Sequence, residues 1–246
     1  VARRGLIVVP LVLAVAMVTA TGGAAQSREP AQSPIDVTFD AIRFDPAQPR
    51  LSVSYWRTDV ELEYVRKDLS SPTGCVTRQA EETEEAAVEP GSGHVTLAGV
   101  RYDLVQFHFH TPAEHRVGGR ADPLEMHLVH RAADGGLLVI GVPLRPGTRS
   151  TVDSVLARLA PECGEPVDVP DIELGTLLPA NRLMLSYTGS LTTAPFTEGV
   201  RWFLATGMTV SQATIDRFQQ LFTGGNARAV QPLGGRTLAL TPRTGG

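Results

Sequence analysis

The stretch from Gln106 to His130, QFHFHTPAEHRVGGRADPLEMHLVH, restricts the possible folds more than any other part of the chain. Five of the six histidines lie within it. His108 and His110 alternate with Phe107 and Phe109, so an extended chain here carries imidazoles on one face and phenyl rings on the other. The same alternation puts Glu125, His127 and Val129 on one face of a second strand. Gly118-Gly119, set among polar residues, lets the chain reverse between them. Two antiparallel strands joined in this way would bring three imidazoles together. Strand histidines serve equally well as core or surface groups, so spacing alone leaves metal binding open.

The rest of the sequence reads mainly as short strands bounded by turn residues. Leu51, Val53 and Tyr55 alternate with serines, and Val60, Leu62 and Tyr64 alternate with polar residues. Val95–Leu97, Tyr102–Phe109, Arg182–Thr188 and Val200–Leu204 follow the same logic. Leu137–Leu144 returns from a hairpin at Gly135-Gly136. One helix should start at Ser150 or Thr151 and end before Pro161. A second should run from Gln212 to Phe222, capped by Ser211 and stopped by Gly224-Gly225, burying Ile215, Phe218, Leu221 and Phe222. From Arg66 to Gly93 the alternation dissolves around Glu81, Glu82, Glu84 and Glu85. Regular spacing of oxygen ligands for calcium is missing there, so a solvated loop or exposed helix is expected, with residues 70–89 as an insertion. His94, beside a glycine, reads as exposed. With 42% hydrophobic residues in 246 there is material for a sizeable core, and no linker or repeat divides it. A single mainly β domain is the simpler organisation.

The first 25 residues are expected to stand apart from that domain, which then spans 26–246. Arg3-Arg4, an apolar run from Leu6 to Ala20 and small residues through Ala25 have the form of a secretory signal. The run is roughly 15 residues, short of the ~20 of a spanning helix. Cleavage after Ala20 or Ala25 would leave no stable membrane span and release the protein to the periplasm, cell envelope or medium; an uncleaved anchor is the alternative. A net charge of -4 gives no nucleic-acid footprint. In an oxidising compartment Cys75 and Cys163 are expected to form a disulfide, worth about 4 kcal/mol in the chain-entropy model, with two free thiols as the alternative.

Three neutral histidines suit zinc and leave its fourth tetrahedral position open to water. A closed structural site would want a fourth ligand, usually cysteine, and none lies nearby in sequence. Zinc lowers the pKa of bound water to about 7. The resulting hydroxide needs a carboxylate and a hydroxyl to orient it, and Glu114, Glu125, Thr192 and Thr193 are the candidates.

Gln106-Phe107-His108-Phe109-His110, then Glu114-His115, then Glu125-Met126-His127-Leu128-Val129-His130 closely resembles the zinc-site signature of the alpha-class carbonic anhydrases. Gln32-Ser33-Pro34-Ile35 before it resembles family marks in the expected order, as do Gly189-Ser190-Leu191-Thr192-Thr193, Trp202, Asn226 and Gln231-Pro232 after it. The resemblance implies a large, mostly antiparallel twisted sheet with peripheral helices. It implies zinc on His108, His110 and His127, with Gln106, Glu125 and the Asn226 carbonyl orienting them. Thr192 would accept a hydrogen bond from the zinc-bound hydroxide and donate its own hydroxyl hydrogen bond to Glu114. The Thr192 amide, with Thr193 beside it, would hold bicarbonate. Val129, Val139, Leu191, Val200 and Trp202 would form the apolar wall for carbon dioxide. His115 and Tyr187 would buttress the site, and His130 would face away from it.

The implied enzyme interconverts carbon dioxide and bicarbonate, with weak esterase action as a side activity; its partners are these substrates and small buffers. The chain also departs from the family. The region taken to correspond to its proton-relay segment, Val65-Arg66-Lys67-Asp68, has no histidine, so proton export should limit turnover. The aromatic segment before Gln32 is missing, Phe196 stands where exported relatives often carry a disulfide cysteine, and Ala194-Pro195 replaces Pro-Pro. A non-catalytic extracellular binding protein that keeps the fold is the competing reading.

Overall fold

The structure, a computed structural model, describes residues 30–66 and 82–245. The expected signal segment, Lys67, Cys75 and Glu81 lie outside the described residues. In chain order the strands are β1 (Asp36–Val37), β2 (Ile42–Arg43), β3 (Leu51–Tyr55), β4 (Arg57–Val65) and β5 (Thr83–Val88). Then come β6 (Gly93–Leu97), β7 (Val100–His110), β8 (Arg116–Val117), β9 (Leu124–Ala132) and β10 (Leu137–Pro146). Helix α1 (Thr151–Val155) precedes β11 (Val167–Glu173), β12 (Leu183–Ser190), β13 (Glu198–Ala205) and β14 (Met208–Val210). Helix α2 (Gln212–Leu221) and β15 (Leu238–Gly245) complete the order.

All but β1 and β8 join one 13-stranded sheet, and most of its pairings are antiparallel. The fold is therefore mainly β, as the strand pattern implies, and is built on the large, mostly antiparallel sheet with peripheral helices that the resemblance implies, with β1 and β8 as a separate two-stranded pair. Its centre is β7, which pairs along one edge with β9 and along the other with β5 and β6. Alternation sorts the β7 side chains as expected. Phe107 and Phe109 are fully buried in the main core, where Phe109 meets Phe218 of α2 with ring centroids 6.0 Å apart. Each such ring contributes roughly 2–3 kcal/mol by leaving water, and the pair fixes which way His108 and His110 point.

Both helices start as their sequences suggest. Ser211 caps α2 by accepting from Thr214 N, and Gly225 leaves it at φ 73°. Asp153 of α1 accepts from Ser150 N at 2.8 Å. It also takes Ser211 N (3.0 Å), Ser211 Oγ (2.5 Å) and Thr214 Oγ1 (2.7 Å), so one buried carboxylate ties the two helix starts together. Helix α1 stops at Val155, short of Pro161. Arg217 of α2 takes the Leu156 carbonyl at 2.8 Å, and the Ala160 N–H is drawn to Glu84 at 3.1 Å, so neither group continues the helix.

The glutamate-rich segment is not the solvated loop or exposed helix expected of it. Residues 83–88 form β5, between β4 and β7. Glu82, just before the strand, and Glu84 within it are both fully buried. Two glutamates stand where the alternation called for apolar side chains, which hid the strand. Tyr64 Oη donates to Glu82 at 2.8 Å. Glu84 has only the Ala160 N–H, and its other oxygen has no partner. Val65, which opens the region corresponding to the family's proton-relay segment, pairs with Thr83, and the residue opposite His108 is Glu85. His94 is half-buried rather than exposed, its ring 5.5 Å from that of Trp56.

Candidate metal centre

The pairing of β7 with β9 sets His108 directly opposite His127 and His110 opposite Glu125. Partners in register lie on the same face of a sheet, so three imidazoles converge. Ring centroids are 5.0 Å apart for His108 and His110, 5.2 Å for His108 and His127, and 4.6 Å for His110 and His127. One ligand nitrogen from each lies within 4.8 Å of the others, a spacing that could hold a metal ion.

Hydrogen bonds decide which nitrogen each ring offers. Gln106 Oε1 accepts from His108 Nδ1 at 2.8 Å, and the Asn226 carbonyl accepts from His110 Nδ1 at 3.3 Å. Both rings therefore present Nε2. Glu125 Oε1 accepts from His127 Nε2 at 3.0 Å, which leaves Nδ1 facing inward. Burial pushes His110 down to about 4 and lowers His127 as well, so both are neutral and able to ligate. His110 Nε2 is buried without a hydrogen-bond partner. An orphaned acceptor beside two other imidazoles is what a zinc site looks like from the protein side, and the residues fit that ion.

A second carboxylate faces the triangle. Glu114 Oε2 lies 3.7 Å from His110 Nε2 and 3.9 Å from His127 Nδ1, and it too has no hydrogen-bond partner. Its other oxygen accepts from Arg228 N at 2.8 Å. Burial raises Glu114 to about 7, opposed by His127, the Arg228 N–H and the Thr192 hydroxyl. Glu125 behaves oppositely. Burial disfavours its charge, but the facing His115 and His127 hold its carboxyl well below the usual range. Two buried carboxyls with separated affinities for a proton stand on either side of the imidazoles.

Glu125 is the end of a buried chain of hydrogen bonds. Its carboxylate accepts from His115 N (2.8 Å) and His115 Nδ1 (2.7 Å). His115 Nε2 meets Tyr187 Oη at 2.7 Å, and Tyr187 Oη meets Ser33 Oγ at 2.8 Å. Ser33 in turn accepts from Ser190 N, locking the early Gln32-Ser33-Pro34 segment to the turn that carries Leu191, Thr192 and Thr193. Ser33-Pro34 and Ala194-Pro195 are cis.

The apolar candidates also assemble. Val139, Val200 and Trp202 are buried in one cluster with Tyr187, and Val129 and Leu191 pack against it. The Trp202 ring lies 4.9 Å from that of His127, and its indole N–H is taken by the Ser190 carbonyl at 2.9 Å. Thr192 is buried beside Glu114 and Thr193 half-buried next to it. His130 faces the other way, paired with Tyr55 Oη at 2.5 Å. Phe196 lies under the Arg228 guanidinium, 3.8 Å from the ring centroid.

The sequence reading missed two contributors. Arg228 supplies the N–H to Glu114 and also bonds Gln32 and the Ser33 carbonyl. The Asn226 side chain bridges the Glu82 and Phe109 carbonyls, so β5 helps to place the histidine strand. Asn226 was legible as a motif residue; the role of Arg228, two positions on, had no signal of its own.

The comparisons agree with this geometry. A family model for eukaryotic-type carbonic anhydrase matches residues 21–241. A carbonic anhydrase of Nostoc sp. is 37% identical over 159 residues, 63% of this chain and 60% of that protein. One from Klebsiella pneumoniae is 38% identical over 147 residues, 58% of this chain and again 60% of the relative. The chain thus matches about 60% of the length of these relatives. Among solved structures, the Photobacterium profundum alpha-carbonic anhydrase superposes with a TM-score of 0.71 at 32% identity, covering 87% of this chain and 90% of that one. The Thermovibrio ammonificans alpha-carbonic anhydrase, in complex with sulfanilamide, gives 0.72 at 30% identity, covering 85% and 86%. With its histidine triangle and its sheet, the chain belongs to the eukaryotic-type, or alpha, carbonic anhydrase family.

Proposed function

We propose that this chain catalyses the reversible hydration of carbon dioxide to bicarbonate and a proton, with zinc held by His108, His110 and His127. The observation that carries the reading is a pair of buried, unpartnered atoms 3.7 Å apart, His110 Nε2 and Glu114 Oε2, within a triangle of imidazoles. Zinc in that triangle supplies a Lewis acid and a nucleophile at neutral pH. The chain's own groups do the rest. Gln106, Glu125 and the Asn226 carbonyl fix the ring tautomers. Glu114 accepts a hydrogen bond from the Thr192 hydroxyl, leaving the Thr192 oxygen lone pairs to accept from the attacking oxygen and aim it. Val129, Val139, Leu191, Val200 and Trp202 hold a substrate without charge, and the Thr192 amide with Thr193 receives the anionic product.

Proton export is the slow half of the proposed cycle. All six histidines lie in the described residues. Beyond the triangle, His115 and His130 are buried, and His94 pairs with Asp103, about 17 Å along β7 from His108 at a strand's rise per residue. No imidazole among them is placed to carry the proton outward. Stopped-flow hydration by the zinc-loaded protein over a buffer series tests both halves. Turnover should climb steeply with imidazole-type buffers and vanish, together with bound zinc, in His108→Ala. Full speed in dilute buffer would refute the export step, and absence of turnover in the zinc-loaded wild type would favour a non-catalytic binding protein.

Residues 26–246 are proposed to act as one exported catalytic domain, on the strength of the arginine pair and apolar run at residues 3–20. A Cys75–Cys163 bridge suits that compartment, and no free cysteine occurs among the described residues.

A further inference from the structure

Beyond His115 the fold forms an open-mouthed cavity of about 540 Å³. His115 lines it, whereas none of the three converging histidines does. The cavity is thus separate from the metal centre and shares one wall with it. Ile42, Leu185, Leu204 and Leu240 make its interior apolar, and Val117 and Leu183, 46% and 45% exposed, stand at its rim. Its size lies within the range of small-molecule sites.

The polar groups at this cavity are unevenly matched. Asp122 accepts from Arg145 Nε through both oxygens, at 2.9 and 3.0 Å, and so is neutralised. Arg120 also lines the cavity, is exposed, and makes no side-chain hydrogen bond or ion pair among the described residues. Its backbone is fixed by a tight reversal. Val117 and Arg120 exchange backbone hydrogen bonds of 2.9 and 3.2 Å around Gly118 and Gly119, whose φ angles are 57° and 80°. Among the lining residues, two guanidiniums and one carboxylate leave a net positive charge at the edge of the apolar cavity, with Asp36 behind the reversal already accepting from Gly119 N at 3.0 Å.

We propose that this cavity is a second ligand site, built for an amphipathic monocarboxylate whose hydrocarbon body lies among the leucines and whose carboxylate meets Arg120. Each methylene taken from water strengthens binding about fourfold. The guanidinium selects the charge of the head group, because it pairs with carboxylate and repels an amine. The site does not depend on the hydratase reading, since its walls exclude the converging histidines.

Calorimetric titration of the zinc-loaded full chain with octanoate tests the site. One site is expected, with binding weakened about tenfold in Arg120→Gln. Leu183→Asp, at an exposed rim position that tolerates a polar side chain, should weaken it at least as much by placing a second carboxylate beside the first. Octylamine should not bind. Removing zinc with a chelator should leave octanoate affinity unchanged, which separates this cavity from anion binding at the metal and keeps its failure distinct from failure of the proposed hydratase activity. Absence of octanoate binding, equal affinity in both variants and wild type, equal binding of octylamine, or loss of binding with zinc would each overturn the proposal.

Discussion

Glu84 should make the protein less stable as pH rises through neutrality. The group is fully buried on the core side of β5, with one backbone donor and one oxygen unsatisfied. Burial raises its pKa from 4.5 to about 8. Between those values the folded chain keeps a proton that the unfolded chain has released. The stability linked to this proton is whole below pH 4.5 and is lost as the pH climbs towards 8, at about 1.4 kcal/mol per pH unit. Above 8 both states are ionised and the slope ends. Glu84→Gln keeps the side-chain volume and an acceptor for Ala160 N–H but cannot ionise. The unfolding free energy of the variant minus that of the wild type should therefore grow by about 4 kcal/mol between pH 5 and pH 9. Urea unfolding followed by tryptophan fluorescence at half-unit pH steps measures the difference, in which the effects of every other titrating group cancel. Parallel curves, with a difference constant to about 0.5 kcal/mol, would refute the reasoning.

Three other perturbations have defined outcomes. Glu125→Gln weakens the acceptor that fixes His127, and zinc affinity measured by chelator competition should fall about 10- to 100-fold. Burial pushes His130 from 6.5 to about 4; the unfolded state then holds the extra proton in that window, so stability is intact above pH 6.5 and about 3 kcal/mol is lost by pH 4. A His130 ring resonance with a titration midpoint near 6.5 in the folded protein would contradict this. Asp153→Ala leaves four donors without their shared acceptor, and chemical denaturation should report a loss of about 2–4 kcal/mol.

How far the sequence revealed the molecule depended on whether periodicity and burial agreed. On β7 and β9 they did: phenylalanines and aliphatics fill one face, so alternation puts His108, His110 and His127 on the other, while the register that sets His108 opposite His127 comes with the pairing of the two strands. On β5 they disagreed, because Glu82 and Glu84 occupy inward positions, where Tyr64 Oη and Ala160 N–H meet them, partners that no local pattern announces. The metal triangle was legible in outline for the first reason, together with Glu125 on the second strand, whereas the part of Gln106 came from resemblance. Thr192 stood among the candidate hydroxyls on chemistry alone, but its pairing with Glu114, like the parts played by Asn226 and Tyr187, was reached only through resemblance, since nothing local ties them to β7. Arg228 reaches Glu114 through its backbone, and a backbone contact leaves no mark on the choice of side chain.

The hydrogen bond from His110 to the Asn226 carbonyl has a consequence for how the site comes into being. Its two ends are 116 residues apart in sequence, and the Arg228 N–H that meets Glu114 comes from 114 residues downstream. Contacts of such separation close late, after the entropy of a long loop has been overcome. A nascent chain can pair β7 with β9 and bring its histidines close well before Asn226 has docked. Until then the ring of His110 is free to turn, and tight metal capture has to wait. Zinc uptake would thus be timed by the C-terminal part of the chain, and would report completed folding rather than start it.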